Sequence, residues 1–125
     1  MDHEGNLAAL WAKIKSKLDI KAVDQCWVWR GTLRACGGVQ YGVIRVKFPW
    51  LAQSKPVGVH RATYMVKINS YHVPEGLDVS HLCGHSLCCN PNHLYLEPHH
   101  INNNRIHCHN ISRCLGHGTY PDCIL

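Results

Sequence analysis

Residues 80–108 read SHLCGHSLCCNPNHLYLEPHHINNNRIHC. This stretch decides the fold. Cys83, Cys88 and His93 follow one another at gaps of four residues, which brings two thiolates and an imidazole onto one loop. Zinc takes four such ligands in a tetrahedron, so a fourth must come from elsewhere in the chain. Upstream there are two cysteines, Cys26 and Cys36. Cys26 opens the run Cys26-Trp27-Val28-Trp29, whose aromatic and β-branched residues favour a strand that would fix its direction. Cys36, beside Gly37-Gly38, is the alternative. Cys89 adjoins Cys88, would point away from the same metal, and reads as a small buried residue.

Downstream, Cys108, Cys114, His117 and Cys123 make a complete Cys3His set in a tail with almost no hydrophobic periodicity. Such a tail cannot bury a core, so metal is what would hold it. The whole chain has 125 residues, eight cysteines and eleven histidines. That length is one domain. Disulfides do not require histidines among the cysteines and zinc sites do, so the composition favours two structural zincs in a reducing, intracellular compartment, nucleus or nucleoid. The opening MDHEGN has neither the basic nor the apolar region of a signal peptide. No run reaches the about 18 apolar residues of a membrane span. A net charge of +5 permits a nucleic-acid partner.

Between these ligands the elements follow from pattern. Leu7, Leu10, Trp11, Ile14 and Leu18 lie on one helical face, with Asn6 as the cap, and Lys13, Lys15 and Lys17 on the other side. Residues 23–31 and 41–48 read as strands, 32–39 as a loop or hairpin turn and 49–56 as a loop. On 41–48, Val43, Arg45 and Lys47 share the face opposite Gly42, Ile44 and Val46, and two cations on one face could line a DNA groove. Residues 60–66 read as a helix, 78–81 and 94–97 as short strands, and Pro98 to about Ile106 as a helix with Pro98 in its first turn. The expected class is α+β: a small zinc-stapled domain with antiparallel sheets and a ββα core. Its parts would be an N-terminal helix (1–20), a DNA-facing sheet and helix (23–70), the core (78–107) and a zinc-bound tail (108–125).

His81 lies two residues before Cys83, so the metal loop would orient it without binding it. A histidine so placed can act as general base near neutral pH. Its partner would come from Asn102, Asn103 or Asn104, which stand about 100° apart on a helix, so only one can face it. An amide oxygen is a suitable hard ligand for Mg2+.

These residues resemble the His-Cys box homing endonucleases, within the broader ββα-metal (His-Me finger) nucleases. The match lies in SHLC at 80–83, C-x-N-P-x-H-L at 88–94, Glu97, Asn102, Arg105 and Cys108, and more loosely in Cys26-Trp27-Val28-Trp29, Tyr41-Gly42-Val43 and Val59-His60-Arg61. The resemblance implies His81 as the base that activates water and Asn102 as the ligand of one catalytic Mg2+. It implies a first zinc on Cys26, Cys83, Cys88 and His93 and a second on Cys108, Cys114, His117 and Cys123. It also implies an arginine near the scissile phosphate, for which Arg45 is the first choice and Lys47 and Arg61 the alternatives. The implied partner is double-stranded DNA with a near-palindromic site, bound by a homodimer. The sequence stops two residues after Cys123, so the long C-terminal extension by which relatives embrace a partner subunit is not expected, and the 7–18 helix is the candidate substitute.

Overall fold

The computed structural model describes residues 3–125, and for residues 3–5 the backbone alone. Three helices and seven short strands follow in order: α1 (His3–Lys15), β1 (Leu18–Asp19), β2 (Val28–Trp29), β3 (Leu33–Cys36), β4 (Val39–Val46), β5 (Lys55–Gly58), α2 (Val59–Lys67), β6 (Leu77–His81), β7 (Leu94–Pro98) and α3 (His99–Asn110). Every strand pairing is antiparallel: β1 with β2, β4 between β3 and β5, and β6 with β7. The expected α+β class with antiparallel sheets is what the chain adopts, and β6, β7 and α3 form its ββα unit.

The apolar faces meet in one core. Leu7, Leu10 and Ile14 of α1 pack with Ile44 and Val46 of β4, Val59, Ala62 and Met65 of α2, and Trp29 and Cys89. Burying each large aliphatic contributes about 1.5–3 kcal/mol, which is why α1 docks although its charged side is fully solvated. β4 alternates as expected, with Ile44 and Val46 inside and Arg45 outside.

Five expectations need correction. Residues 32–39 are not simply a turn: Leu33–Cys36 forms β3, β4 already begins at Val39, and only Gly37 and Gly38 turn between them. The first helix already includes His3, so Asn6 lies inside it rather than capping it, and it ends at Lys15; Leu18 is in β1, paired with Trp29. The strand expected over 23–31 shrinks to Val28–Trp29. The carbonyls before it are taken by side chains of the metal loop instead of a ladder. Asn90 Nδ2 donates to the oxygens of Val23 (2.8 Å) and Gln25 (2.7 Å), and His93 Nε2 to that of Asp24 (3.0 Å). The loop expected over 49–56 ends in an extra strand, β5. Pro56 stands in it opposite Arg45, which is permitted because β5 is an edge. Last, Pro98 caps α3 from outside, and α3 runs to Asn110. Cys108 is therefore a helical residue, and the irregular tail begins only at Ile111.

Three glycines are demanded by geometry. Gly37 and Gly38, at φ +59° and +82°, make the two-residue turn between β3 and β4. Gly84, at φ +74°, lets the metal loop lie against α3: a Cβ there would stand 2.7 Å from the His109 ring.

A buried ion pair locks the ββα unit to the tail. Glu97 and Arg105 are 0 % and 1 % exposed. Arg105 Nε donates to Glu97 Oε2 at 2.6 Å and Nη2 to Oε1 at 2.8 Å. Nη2 also reaches the Pro121 carbonyl (2.8 Å), and Nη1 the Cys123 sulfur (3.5 Å). Removing one partner leaves a buried charge uncompensated. Glu97→Gln is therefore expected to destabilise the zinc-loaded protein by about 3–5 kcal/mol, measurable by urea unfolding; an unchanged midpoint would mean the pair is not held dry.

Candidate metal centres and catalytic cleft

The first metal cluster consists of Cys26, Cys83, Cys88 and His93, whose ligand atoms all lie within 4.8 Å of one another. Of the two upstream cysteines the fold brings Cys26. Its segment runs beside the loop, with Trp29 N donating to Leu87 O (2.9 Å) and Cys89 N to Trp27 O (2.8 Å). Cys36 stands exposed at the end of β3, outside the cluster. His93 Nδ1 lies 3.5 Å from the Cys88 sulfur and 3.8 Å from that of Cys26. Tetrahedral zinc with Zn–S near 2.3 Å and Zn–N near 2.0 Å sets sulfur and nitrogen about 3.5 Å apart, so the spacing fits the ion. The other ring nitrogen, held by the Asp24 carbonyl, fixes the tautomer that turns Nδ1 inward. Charge argues the same way. A hydrogen bond from Cys83 draws the Cys88 thiol down to about 5, while burial, with Cys88 beside it, pushes Cys26 up to about 11. One thiolate suppresses its neighbours unless a cation is shared among them.

The second cluster is Cys108, Cys114, His117 and Cys123, again within 4.8 Å. His117 Nε2 lies 3.7 Å from the Cys108 sulfur and 3.2 Å from that of Cys123. Backbone N–H groups of Leu115 and Cys123 point at the sulfurs of Cys108 (3.4 Å) and Cys114 (3.2 Å), as suits thiolates. Among the described residues His117 Nδ1 has no hydrogen-bond partner, unlike the outer nitrogen of His93. Both clusters are compatible with structural zinc.

Between the β3–β4 hairpin, α2 and the ββα unit opens a cleft of about 530 Å³, which both His81 and Asn102 line. His81 ends β6, immediately before the metal loop. The backbone of Cys88, a residue of the first cluster, lies close enough to its ring to favour the protonated form, against the effect of burial. Among the described residues its Nε2 is buried without a partner. Burial, then the neighbouring His60 ring at 4.9 Å, drives the His81 pKa down to about 3. Burial likewise lowers His60, to about 4, with Arg61 adding to it. Both imidazoles are thus neutral near pH 7. Of the three asparagines, Asn102 lines the cleft, while Asn103 and Asn104 are exposed.

Arg45 does not reach this cleft. It lines a separate groove with Lys13 and Lys47, and its guanidinium donates to Ser54 Oγ (3.0 Å) and Ser54 O (2.7 Å). The cleft takes Tyr41 from the same strand, and four residues of strand span about 13 Å. Lys47 is equally remote, its ammonium donating to the carbonyls of Phe48 and Leu51. Two arginines line the cleft: Arg105, whose guanidinium is committed to Glu97, and Arg61 of α2, bound loosely to the carbonyls of Val73, Pro74 and Leu77 at 3.3–3.4 Å.

Sequence reasoning left Asp78 out of the site altogether. Its Oδ2 accepts from Asn102 Nδ2 at 3.0 Å and from His99 Nδ1 at 2.6 Å. The available signal was the i, i+3 spacing of His99 and Asn102, which puts both on one helical face. His60 was visible only as part of the looser match at Val59-His60-Arg61.

Among the described residues no helix is long and apolar enough to cross a membrane. No curated protein and no solved structure matches the chain. The family described as the zinc-binding loop region of homing endonuclease matches residues 21–123, a span that contains both clusters and the cleft between them. The chain therefore belongs to the His-Cys box homing endonuclease family, and its function is nuclease-related.

Proposed function

We propose that the chain is a sequence-specific, Mg2+-dependent DNA endonuclease of the homing type, with structural zinc in both clusters. The observation that carries this reading is that His81 and Asn102, from different elements, line the same cleft beside the first cluster.

The neutral imidazole of His81 accepts a proton from a water as its oxygen attacks phosphorus in line. The bond from phosphorus to the leaving oxygen breaks as the new one forms. Burial keeps the imidazole neutral and so able to accept. The amide oxygen of Asn102 and the carboxylate of Asp78 are hard donors of the kind Mg2+ prefers, and Asn102 would hold it. Bound there, the ion supplies charge stabilisation at the phosphate and the leaving oxygen. Arg61, rather than Arg45, would meet the scissile phosphate. Arg34 pairs with Tyr41, which lines the cleft, so its side chain stands on the same hairpin face as a candidate DNA contact. One His81–Asn102 pair serves one strand, so a double-strand break calls for two copies on a near-palindromic site.

The test is cleavage of DNA by zinc-loaded protein with Mg2+ and with EDTA, beside Asn102→Ala. Cutting should need Mg2+ and should fall by at least about 100-fold in the variant. Equal cutting in EDTA, or by Asn102→Ala, would reject the cation site.

A further inference from the structure

We infer that Asp78 is the residue that decides which way round the Asn102 amide is held. This rests on the reading of Asn102 as the cation ligand and extends it to a positioning residue. An asparagine side chain has two nearly isosteric ends, an oxygen that can ligate a cation and an NH2 that cannot. Nothing intrinsic to α3 chooses between them. An ionised carboxylate has acceptors alone, so it takes the NH2 end. Asp78 Oδ2 does so, 3.0 Å from Asn102 Nδ2, and the amide oxygen is left on the other side of the group. Asp78 is fixed in turn by His99 Nδ1 at 2.6 Å on the same oxygen. His99 stands one helical turn before Asn102, so β6 and the first turn of α3 are tied by one carboxylate. Asp78 also lines the cleft, close enough to act on the amide without displacing His81.

The consequence is a reversible logic of donors and acceptors. In Asp78→Asn the carboxylate gives way to an amide, which can accept or donate and no longer dictates the orientation of its neighbour. Asn102 can then present either end to the cleft. Adding Asn102→Asp removes the problem, because both ends of a carboxylate are oxygens. One of them takes the NH2 of the amide introduced on β6, and the other faces the cleft.

The experiment measures Mn2+ affinity by electron paramagnetic resonance on the full, zinc-loaded chain, with zinc content and circular dichroism checked for each variant. Loss of a group that orients a metal ligand typically lowers affinity about 10–100-fold. Asp78→Asn is expected to fall by about tenfold or more, and the double variant, Asp78→Asn with Asn102→Asp, to return to within about threefold of the parent. Unchanged affinity in Asp78→Asn would overturn the inference. So would a loss that the double variant fails to restore, since the aspartate would then be needed for itself. Asn102→Ala separates the two levels: if it binds Mn2+ as tightly as the parent, the cation site itself is misassigned, whereas weak binding by Asn102→Ala with normal binding by Asp78→Asn removes only the role of Asp78.

Discussion

Replacing His81 by alanine is expected to lower the rate constant for DNA cleavage by about 10²–10⁴-fold, the range for a positioned general base, with DNA affinity unchanged. The affinity should hold because, in the proposed reading, phosphate contacts would come from cations elsewhere, Arg34 and Arg61 foremost. Folding should hold as well. His81 Nε2 is buried without a partner among the described residues, so truncation removes an unsatisfied group together with the packing of the ring. The His81 pKa near 3 gives the effect its sign in pH. The neutral, active form persists through mild acid, and activity is lost only as protons reach the imidazole or release the zincs. Single-turnover cleavage and binding to the same DNA are the measurements. Cleavage within a few-fold of the parent would remove His81 from the mechanism.

The second large effect belongs to the zinc clusters. Cys88→Ser is expected to lower zinc content to one ion per chain and abolish cooperative unfolding. A structural zinc contributes apparent binding energy of about 10–16 kcal/mol, against a net stability of about 5–15 kcal/mol for a whole domain. Cys88 also carries the backbone contact to the His81 ring, so cleavage should be lost with it. Cys26→Ser should behave likewise, and Cys36→Ser should keep two zincs. A chelator should free the second cluster first. Cys114 and Cys123 are only partly buried, and His117 lacks the outer partner that His93 has, whereas Cys83, Cys88 and His93 are all buried. Zinc analysis and circular dichroism decide the matter; two zincs retained in Cys88→Ser would contradict the assigned cluster.

How far the sequence could be read follows from what each signal encodes. Ligand spacing is local chemistry, so Cys83, Cys88, His93 and the tail set stood out, and the ββα order followed from two short apolar strands and a proline-led helix. The alternation of β4 was readable because one side of it is buried. The start of segment 23–31 misled because the carbonyls of Val23, Asp24 and Gln25 are satisfied by Asn90 and His93, 65 or more residues away in sequence. Edge strand β5 was hidden by Pro56, which argues against a strand everywhere except at an edge. Arg45 stands outside the cleft although it carries a cation on the strand that supplies Tyr41, because distance along that strand, which the sequence pattern does not weigh, separates the two. Asp78 carried no signal of its own: a carboxylate on a short strand becomes part of a site only once α3 brings Asn102 and His99 to it.

The most direct measurement is sequencing of the DNA ends produced when zinc-loaded protein and Mg2+ act on supercoiled plasmid carrying a library of random sites, with the His81→Ala protein run in parallel. Discrete double-strand cuts at one long, near-palindromic sequence, absent from the variant, are the predicted result. Identical ends from both proteins, or DNA bound and left intact by the parent, would contradict a cleft in which His81 cuts DNA.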